Sequence, residues 1–292
     1  MNSEPNQAAA SLAALRAENR TRMYARAFWG LMVRDAHVLK REFVPFLSRT
    51  LMQPLLFVFV FAYLFPKIGQ GFGGAAAAGA ATAAGRATFA TILLPGLMAV
   101  AIILQGIAAV ALPLAVEFGG TREIEDRVMA PLPVAAVAFE KIVFSSFQSI
   151  IAASVVFPLA YYIPAQPVAV HINNWPLLIV IVILSSLTAG ALGLTIGTAV
   201  KPQQIGLVFS MILVPLTFLG CVYYPWASLS VVRWLQVGVL LNPLVYISEG
   251  LRTCLTPNLP HLPTWGILLA LVISGSILTL VGMRGFLRRV IS

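Results

Sequence analysis

Charged residues are scarce in this chain: Asp, Glu, Lys and Arg make up 10% of its 292 residues, where a soluble domain carries about 25%. Together with 59% hydrophobic residues and a mean hydropathy of +0.91, that scarcity excludes a water-soluble globular protein. It also excludes a disordered chain, which is never this apolar. Cysteine is nearly missing. Cys221 and Cys254 form no C-x-x-C pair and sit near no histidine cluster, so neither a metal site nor dithiol chemistry is predicted. The three histidines, His37, His171 and His261, are scattered with no paired carboxylate beside them, which leaves an enzyme acting on lipids without a catalytic constellation. No long apolar run occurs in the first 43 residues, so no cleavable signal peptide is expected. No G-K-[ST] follows the Gly- and Ala-rich stretch between Lys67 and Thr88, which therefore reads as an external loop and not as a phosphate cradle. Whatever drives the protein has to come from another polypeptide or from an ion gradient.

What the chain does have is long apolar runs. A bilayer core of about 30 Å needs roughly 20 helical residues, and six runs approach that length: 44–65, 88–116, 134–163, 175–200, 205–224 and 262–283. The fold expected is an all-α integral membrane protein with six transmembrane helices. Orientation follows from the basic residues. With the N-terminus in the cytoplasm, fifteen of the nineteen Lys and Arg fall on the inside, leaving only Lys67, Arg86, Arg233 and Arg252 outside. An even number of spans then returns the C-terminus to the cytoplasm. The net charge of +9 is thus a topological signal, and no nucleic acid partner is called for.

The segments between the spans carry the remaining detail. Residues 1–20 read as a flexible tail. From Thr21 to Phe43, Tyr24, Phe28, Leu31, Met32 and Leu39 recur at helical spacing opposite Arg22, Arg26, Arg34, Lys40 and Arg41, the pattern of an amphipathic helix lying in the cytoplasmic interface. The stretch EFGGTREIEDRVMAPLP, Glu117 to Pro133, is the only charge-dense internal segment. Thr121 can cap a short helix there, Glu123, Glu125 and Asp126 favour its N-terminal end, and Pro131 and Pro133 stop it. Arg122, Glu123, Asp126 and Arg127 share its polar side. It is either an ordinary solvated connector or a handle for a cytoplasmic partner. Pro225 to Arg252 is too interrupted to span, by Arg233, Gln236, Asn242, Pro243, Glu249 and Arg252, and fits a pair of short helices dipping back into the outer leaflet. Within it, Glu249 and Arg252 can pair across one helix turn, while Trp226 and Trp234 suit the interfacial belt. Gln53, Gln105 and Gln148 are the polar residues placed to face a pathway or to bond a neighbouring helix. Gly193 and Gly197 form a G-x-x-x-G that allows close helix approach. Cys221 and Cys254 both fall near the outer side, where oxidising conditions permit a disulfide.

This order of features resembles the membrane subunit of a type-2 ABC exporter over about residues 21–290. The local matches are LLPGLMAVAIILQG (Leu93 to Gly106), APLPVAAVAFEK (Ala130 to Lys141), and FLGCVYYPWASL through NPLVYISEGLR (Asn242 to Arg252). The last two look like the daunorubicin-resistance and nodulation lipo-oligosaccharide permeases. The resemblance implies a permease subunit without ATPase activity, paired with a second copy or homologue, in a bacterial inner membrane. Two cytoplasmic ATPase subunits that carry ATP and Mg would dock beneath it. It further implies that Gly119 to Met129 is a coupling helix and that an amphipathic substrate, such as a lipid, glycolipid or hydrophobic drug, leaves between the subunits along the first, second and fifth spans. An ion-coupled carrier is the alternative, disfavoured because no carboxylate lies near a span centre, and a passive membrane scaffold is another.

Overall fold

The computed structural model describes residues 4–68, 89–121, 132–164, 168–172 and 174–291, with side chains from residue 22 to 290 apart from 66, 120 and 121. Every regular element among the described residues is helical, in keeping with the expected all-α class. The stretch expected as a tail behaves differently: α1 runs Glu4–Arg41 without interruption. Its Ala, Leu, Arg and Glu content explains this, since these are the strongest helix formers, and Pro5 falls in the first turn, where proline is tolerated.

The helix breaks at Glu42, because Pro45 has no N–H to continue the ladder and crowds the residue before it. The chain resumes as α2, Phe43–Phe57, which widens into a π-helical stretch over Val58–Leu64. Then follow α3 (Phe89–Val116), α4 (Val134–Tyr162), α5 (Trp175–Ala199), α6 (Ile205–Phe218), α7 (Arg233–Gly238), α8 (Pro243–Leu255) and α9 (Thr264–Ile291). Among the described residues five helices are long and apolar enough to cross a bilayer: Phe43–Leu64, Phe89–Gly119, Val134–Tyr162, Trp175–Ala199 and Thr264–Val290.

The expected fifth span, 205–224, forms a helix shorter than its apolar run. Its helix stops at Phe218 and, with the 3-10 turn before it, forms the shorter apolar helix Pro202–Phe218. At 1.5 Å per residue that is about 25 Å, the short end of what crosses a 30 Å hydrocarbon core. Tertiary contacts end it early. Asn242 Nδ2 donates to the Leu216 carbonyl at 2.7 Å and Ser248 Oγ to the Gly220 carbonyl at 2.7 Å. These bonds satisfy carbonyls that another helical turn would have used, and Cys221 then turns the chain with a left-handed φ of 52°.

The centre of the bundle is α5, held between α3 and α9. The G-x-x-x-G explains the α3 face: a methyl added at Gly193 would come 2.9 Å from the Gly106 carbonyl oxygen, and one at Gly197 3.0 Å from the Ala111 Cα. Two backbones therefore touch where any larger residue would hold them apart. On the other face Thr195 Oγ1 donates to the Leu278 carbonyl of α9 at 2.9 Å.

The two ends of the bundle are distinct. At the lower pole, Tyr24, Phe28 and Leu31 of α1 pack into a cluster formed by Leu114, Val137, Leu194 and Phe286, from α3, α4, α5 and α9. Arg289 there donates to the Val200 carbonyl at 2.7 Å and lies over the Phe118 ring at 5.2 Å. At the upper pole Cys221, Val239 and Val245 are buried with Tyr224, Trp226 and Leu262 around them, so the chain between α6 and α9 turns back to the pole it reached.

Candidate functional site

A line of polar side chains crosses the apolar bundle at the level where α2, α3 and α4 meet. Thr50 on α2 shares its one O–H between the Phe46 carbonyl of its own helix (2.8 Å) and Gln105 Oε1 on α3 (3.1 Å). Gln105 Nε2 then donates to Gln148 Oε1 on α4 at 2.9 Å. Thr50 and Gln105 are buried, and burial in an apolar surround is tolerable because each hydrogen-bonding group has found a partner. Two of the three predicted amides, Gln105 and Gln148, are thus brought into one relay joining three helices. Gln53 is not part of it: half-buried on α2, it lines a small cavity of its own.

Two cavities flank the relay. The larger, about 610 Å³, opens at the lower pole between α1 and the bundle and reaches Arg49, Lys141 and Gln148. The smaller, about 150 Å³, lies further along α2 and is walled by Pro54, Ala101, Leu104, Phe209 and Leu213, with Arg49, Thr50, Gln53 and Gln105 as its polar groups. Arg49, Ala108 and Leu112 line both. The larger is in the range of ordinary ligand sites, and the two adjoining cavities together grade from a charged mouth to an apolar interior.

Next to the mouth is an ion pair that the sequence reading did not single out. Lys141 Nζ lies 2.8 Å from Glu117 Oε1, with both side chains 6% exposed, and Glu140 beside it is fully buried. The available signal was the charged pair of APLPVAAVAFEK, set about two turns inside the start of α4. The pair ties the turn that leaves α3 to the turn that enters α4, and Phe118 stacks edge-on against Phe286 of α9 at 6.1 Å. The expected coupling residues Arg122, Glu123, Glu125, Asp126 and Arg127 lie outside the described residues. Both ends of that segment nevertheless emerge at the lower pole, where Phe118 and Leu132 pack.

At the upper pole the Glu249–Arg252 pair forms as the spacing predicted, with both side chains fully buried. The carboxylate also accepts the Trp226 N–H at 2.9 Å through Oε1 and the Leu262 N–H at 3.0 Å through Oε2, while Arg252 Nη2 donates to the Cys221 carbonyl at 3.0 Å. One ion pair thereby fastens the exit of α6, the turn at Trp226 and the entry to α9. Asn242 and Pro243 start α8 as a cap, the Asn242 side chain accepting the Leu244 N–H at 2.9 Å with proline in the first turn. Trp234, 77% exposed, stays away from this hub and faces outward. Gly96 of LLPGLM explains its own motif: a methyl there would overlap the Val222 carbonyl, so α3 can receive the turn after Cys221 only through a glycine. The disulfide is not formed. Cys221 and Cys254 are both free and buried, and they belong to separate apolar clusters, Cys221 with Val239 and Val245, Cys254 with Leu251 and Leu255.

The inner membrane transport permease YadH of Escherichia coli K12 is 25% identical over 194 residues, which cover 64% of this chain and 72% of YadH. The protein of the same name from Shigella flexneri gives the same figures. No solved structure matches the chain. A family model for the ABC-2 type transporter matches residues 26–256; the chain belongs to that family and is a transmembrane subunit of an ABC transporter.

Proposed function

We propose that this protein is the permease half of an ATP-driven exporter in a bacterial inner membrane, its termini and lower pole in the cytoplasm, moving an amphipathic substrate out of the inner leaflet. Membership of the family implies an ABC ATPase partner. Two such partners, supplying ATP and Mg, would dock on the lower pole of a pair of permease chains. The lower pole as cytoplasmic face is supported by its basic side chains, among them Arg22, Arg26, Arg34, Arg284, Arg288 and Arg289, the bias that fixes orientation in bacterial membranes. The inner membrane named for YadH supports the choice of membrane.

The observation that carries the reading is the anchoring of the 122–131 segment. On its α3 side Glu117 is paired to Lys141 and Phe118 is packed on Phe286. On its α4 side Leu132 is buried in the same cluster. A partner that displaces the segment therefore pulls at once on α3, α4 and α9, and through the Thr50–Gln105–Gln148 relay on α2. Nucleotide-driven closure of the partners would favour the arrangement in which these helices release substrate outward; the shift is as large as the difference in affinity for the two states.

The test is charge reversal on the segment. Glu123→Lys with Asp126→Lys is expected to lower substrate-stimulated ATP hydrolysis of the reconstituted complex by roughly tenfold while leaving the amount of permease in the membrane unchanged. A double variant that still couples fully would overturn the assignment. The ion-coupled alternative loses ground to the family assignment, and co-purification from native membranes with a Walker-motif protein separates the two directly.

A further inference from the structure

The mouth and interior of the cleft carry unmatched polar groups in a definite order along one helix. Glu42 stands at the break between α1 and α2, Arg49 lies seven residues on, at about 10 Å along the helix axis, and Gln53 one turn beyond that. Glu42 and Arg49 line the larger cavity, and Arg49 and Gln53 the smaller one. None of the three side chains makes an ion pair or hydrogen bond among the described residues. The other polar groups nearby differ: Arg34 and Asp35, also at the mouth, have partners of their own, Lys141 is held by Glu117, and Thr50, Gln105 and Gln148 are held by one another. Beyond Gln53 the wall turns apolar, with Pro54, Leu104 and Leu213.

From the mouth inward the groups without a protein partner therefore run carboxylate, guanidinium, amide, and the wall beyond them is hydrocarbon. An inner-leaflet phosphoethanolamine lipid presents the complement in the same order: ammonium outermost, then phosphate, then ester carbonyls, then acyl chain. A guanidinium is the side chain best suited to a phosphate, and a carboxylate accepts hydrogen bonds from a primary ammonium that a trimethylated amine has no N–H to make. We propose that the cleft is a headgroup site for phosphoethanolamine lipids, with Arg49 on the phosphate, Glu42 on the ammonium and Gln53 on the ester region. The 610 Å³ mouth takes the headgroup, the smaller cavity takes the first carbons of one chain, and the remaining acyl length stays in the bilayer beside α2 and α6, whose Met52, Leu56, Leu207 and Met211 are exposed. The placement in the inner leaflet rests on the orientation given under the proposed function.

The experiment uses the full chain, purified in detergent, stripped of lipid and offered an equal mixture of phosphatidylethanolamine, phosphatidylcholine and phosphatidylglycerol with identical acyl chains. Bound lipid is counted by native mass spectrometry. Wild type is expected to carry phosphatidylethanolamine at least about fivefold over either competitor. Arg49→Gln should lower all lipid adducts roughly tenfold, the size expected for losing a hydrogen-bonded charge. Glu42→Gln should keep the adducts and bring phosphatidylethanolamine and phosphatidylcholine within about twofold of each other. Both side chains are exposed, and unchanged elution on size exclusion shows that the variants stay folded. Soluble phosphoethanolamine at the same concentration should displace nothing, because it has no chain for the inner cavity; displacement would assign the site to a free solute instead. An even lipid distribution on wild type, or a preference untouched by Glu42→Gln, overturns the proposal. Adducts are counted on the isolated chain without any ATPase, so a negative result leaves the export reading standing, while a failure of the charge-reversal test leaves the headgroup site standing.

Discussion

Lys141 shows how much a single side chain can hold in an apolar bundle. Its ammonium is 2.8 Å from Glu117 and almost fully buried, and removing one partner of such a pair leaves the other charge in a low dielectric, a loss of about 3–5 kcal/mol. Lys141→Met is expected to lower the midpoint of thermal unfolding in detergent accordingly. Combining it with Glu117→Gln should recover most of the loss, since a buried pair contributes little net stability over apolar replacements. A double variant as weak as the single would show that the pair is not the source. Glu249 and Arg252 follow the same physics at the other pole. They were legible as a pair from their spacing of three, but their three backbone partners at Cys221, Trp226 and Leu262 were not, because those bonds reach 13 to 31 positions along the chain.

Beside the packed Leu, Ile and Val of the core, helices approach most closely here through small residues and hydroxyls, as expected where lipid removes the hydrophobic drive for association. The contact of α3 with α5 depends on Gly193 and Gly197. Gly193→Val has no room against the Gly106 carbonyl, and overpacking of this kind costs about 1–3 kcal/mol. The variant is expected to unfold at lower temperature and to expose the α3–α5 seam to proteolysis, whereas the same change at Gly206, which has open space around it, should leave the unfolding midpoint in place. If both variants behave alike, the seam is not what limits stability. Among the elements, α6 departs furthest from its sequence pattern. Its apolar run continues to Tyr224, and hydropathy gives no reason for it to stop. The stop comes from Asn242 and Ser248 on α8, which take up the carbonyls of Leu216 and Gly220.

For the molecule as a whole, the lower pole gathers α1, the C-terminal turns of α3, α5 and α9 and both flanks of the charged segment, while the upper pole is closed by the α7–α8 fold-back. If the lower pole is cytoplasmic, a cysteine introduced at Ile124 is labelled by a membrane-impermeant maleimide only after cells are opened. Labelling of intact cells would invert the protein and remove the docking face for an ATPase. Composition, the lengths of the apolar runs and the distribution of Arg and Lys determined the all-α membrane class, the approximate spans and the predicted sidedness, because a bilayer imposes one length and one charge rule on any chain that crosses it. The same one-dimensional patterns placed Gln105 and Gln148 inside the bundle. Only the tertiary structure decided that these two bond each other, that Lys141 pairs with Glu117, that the cysteines lie in separate clusters, and that a cleft runs from Glu42 past Arg49 to Gln53. Each of those outcomes depends on which face of one helix meets which face of another. A hydropathy pattern averages over helix faces, whereas packing fixes the rotation of every helix about its own axis.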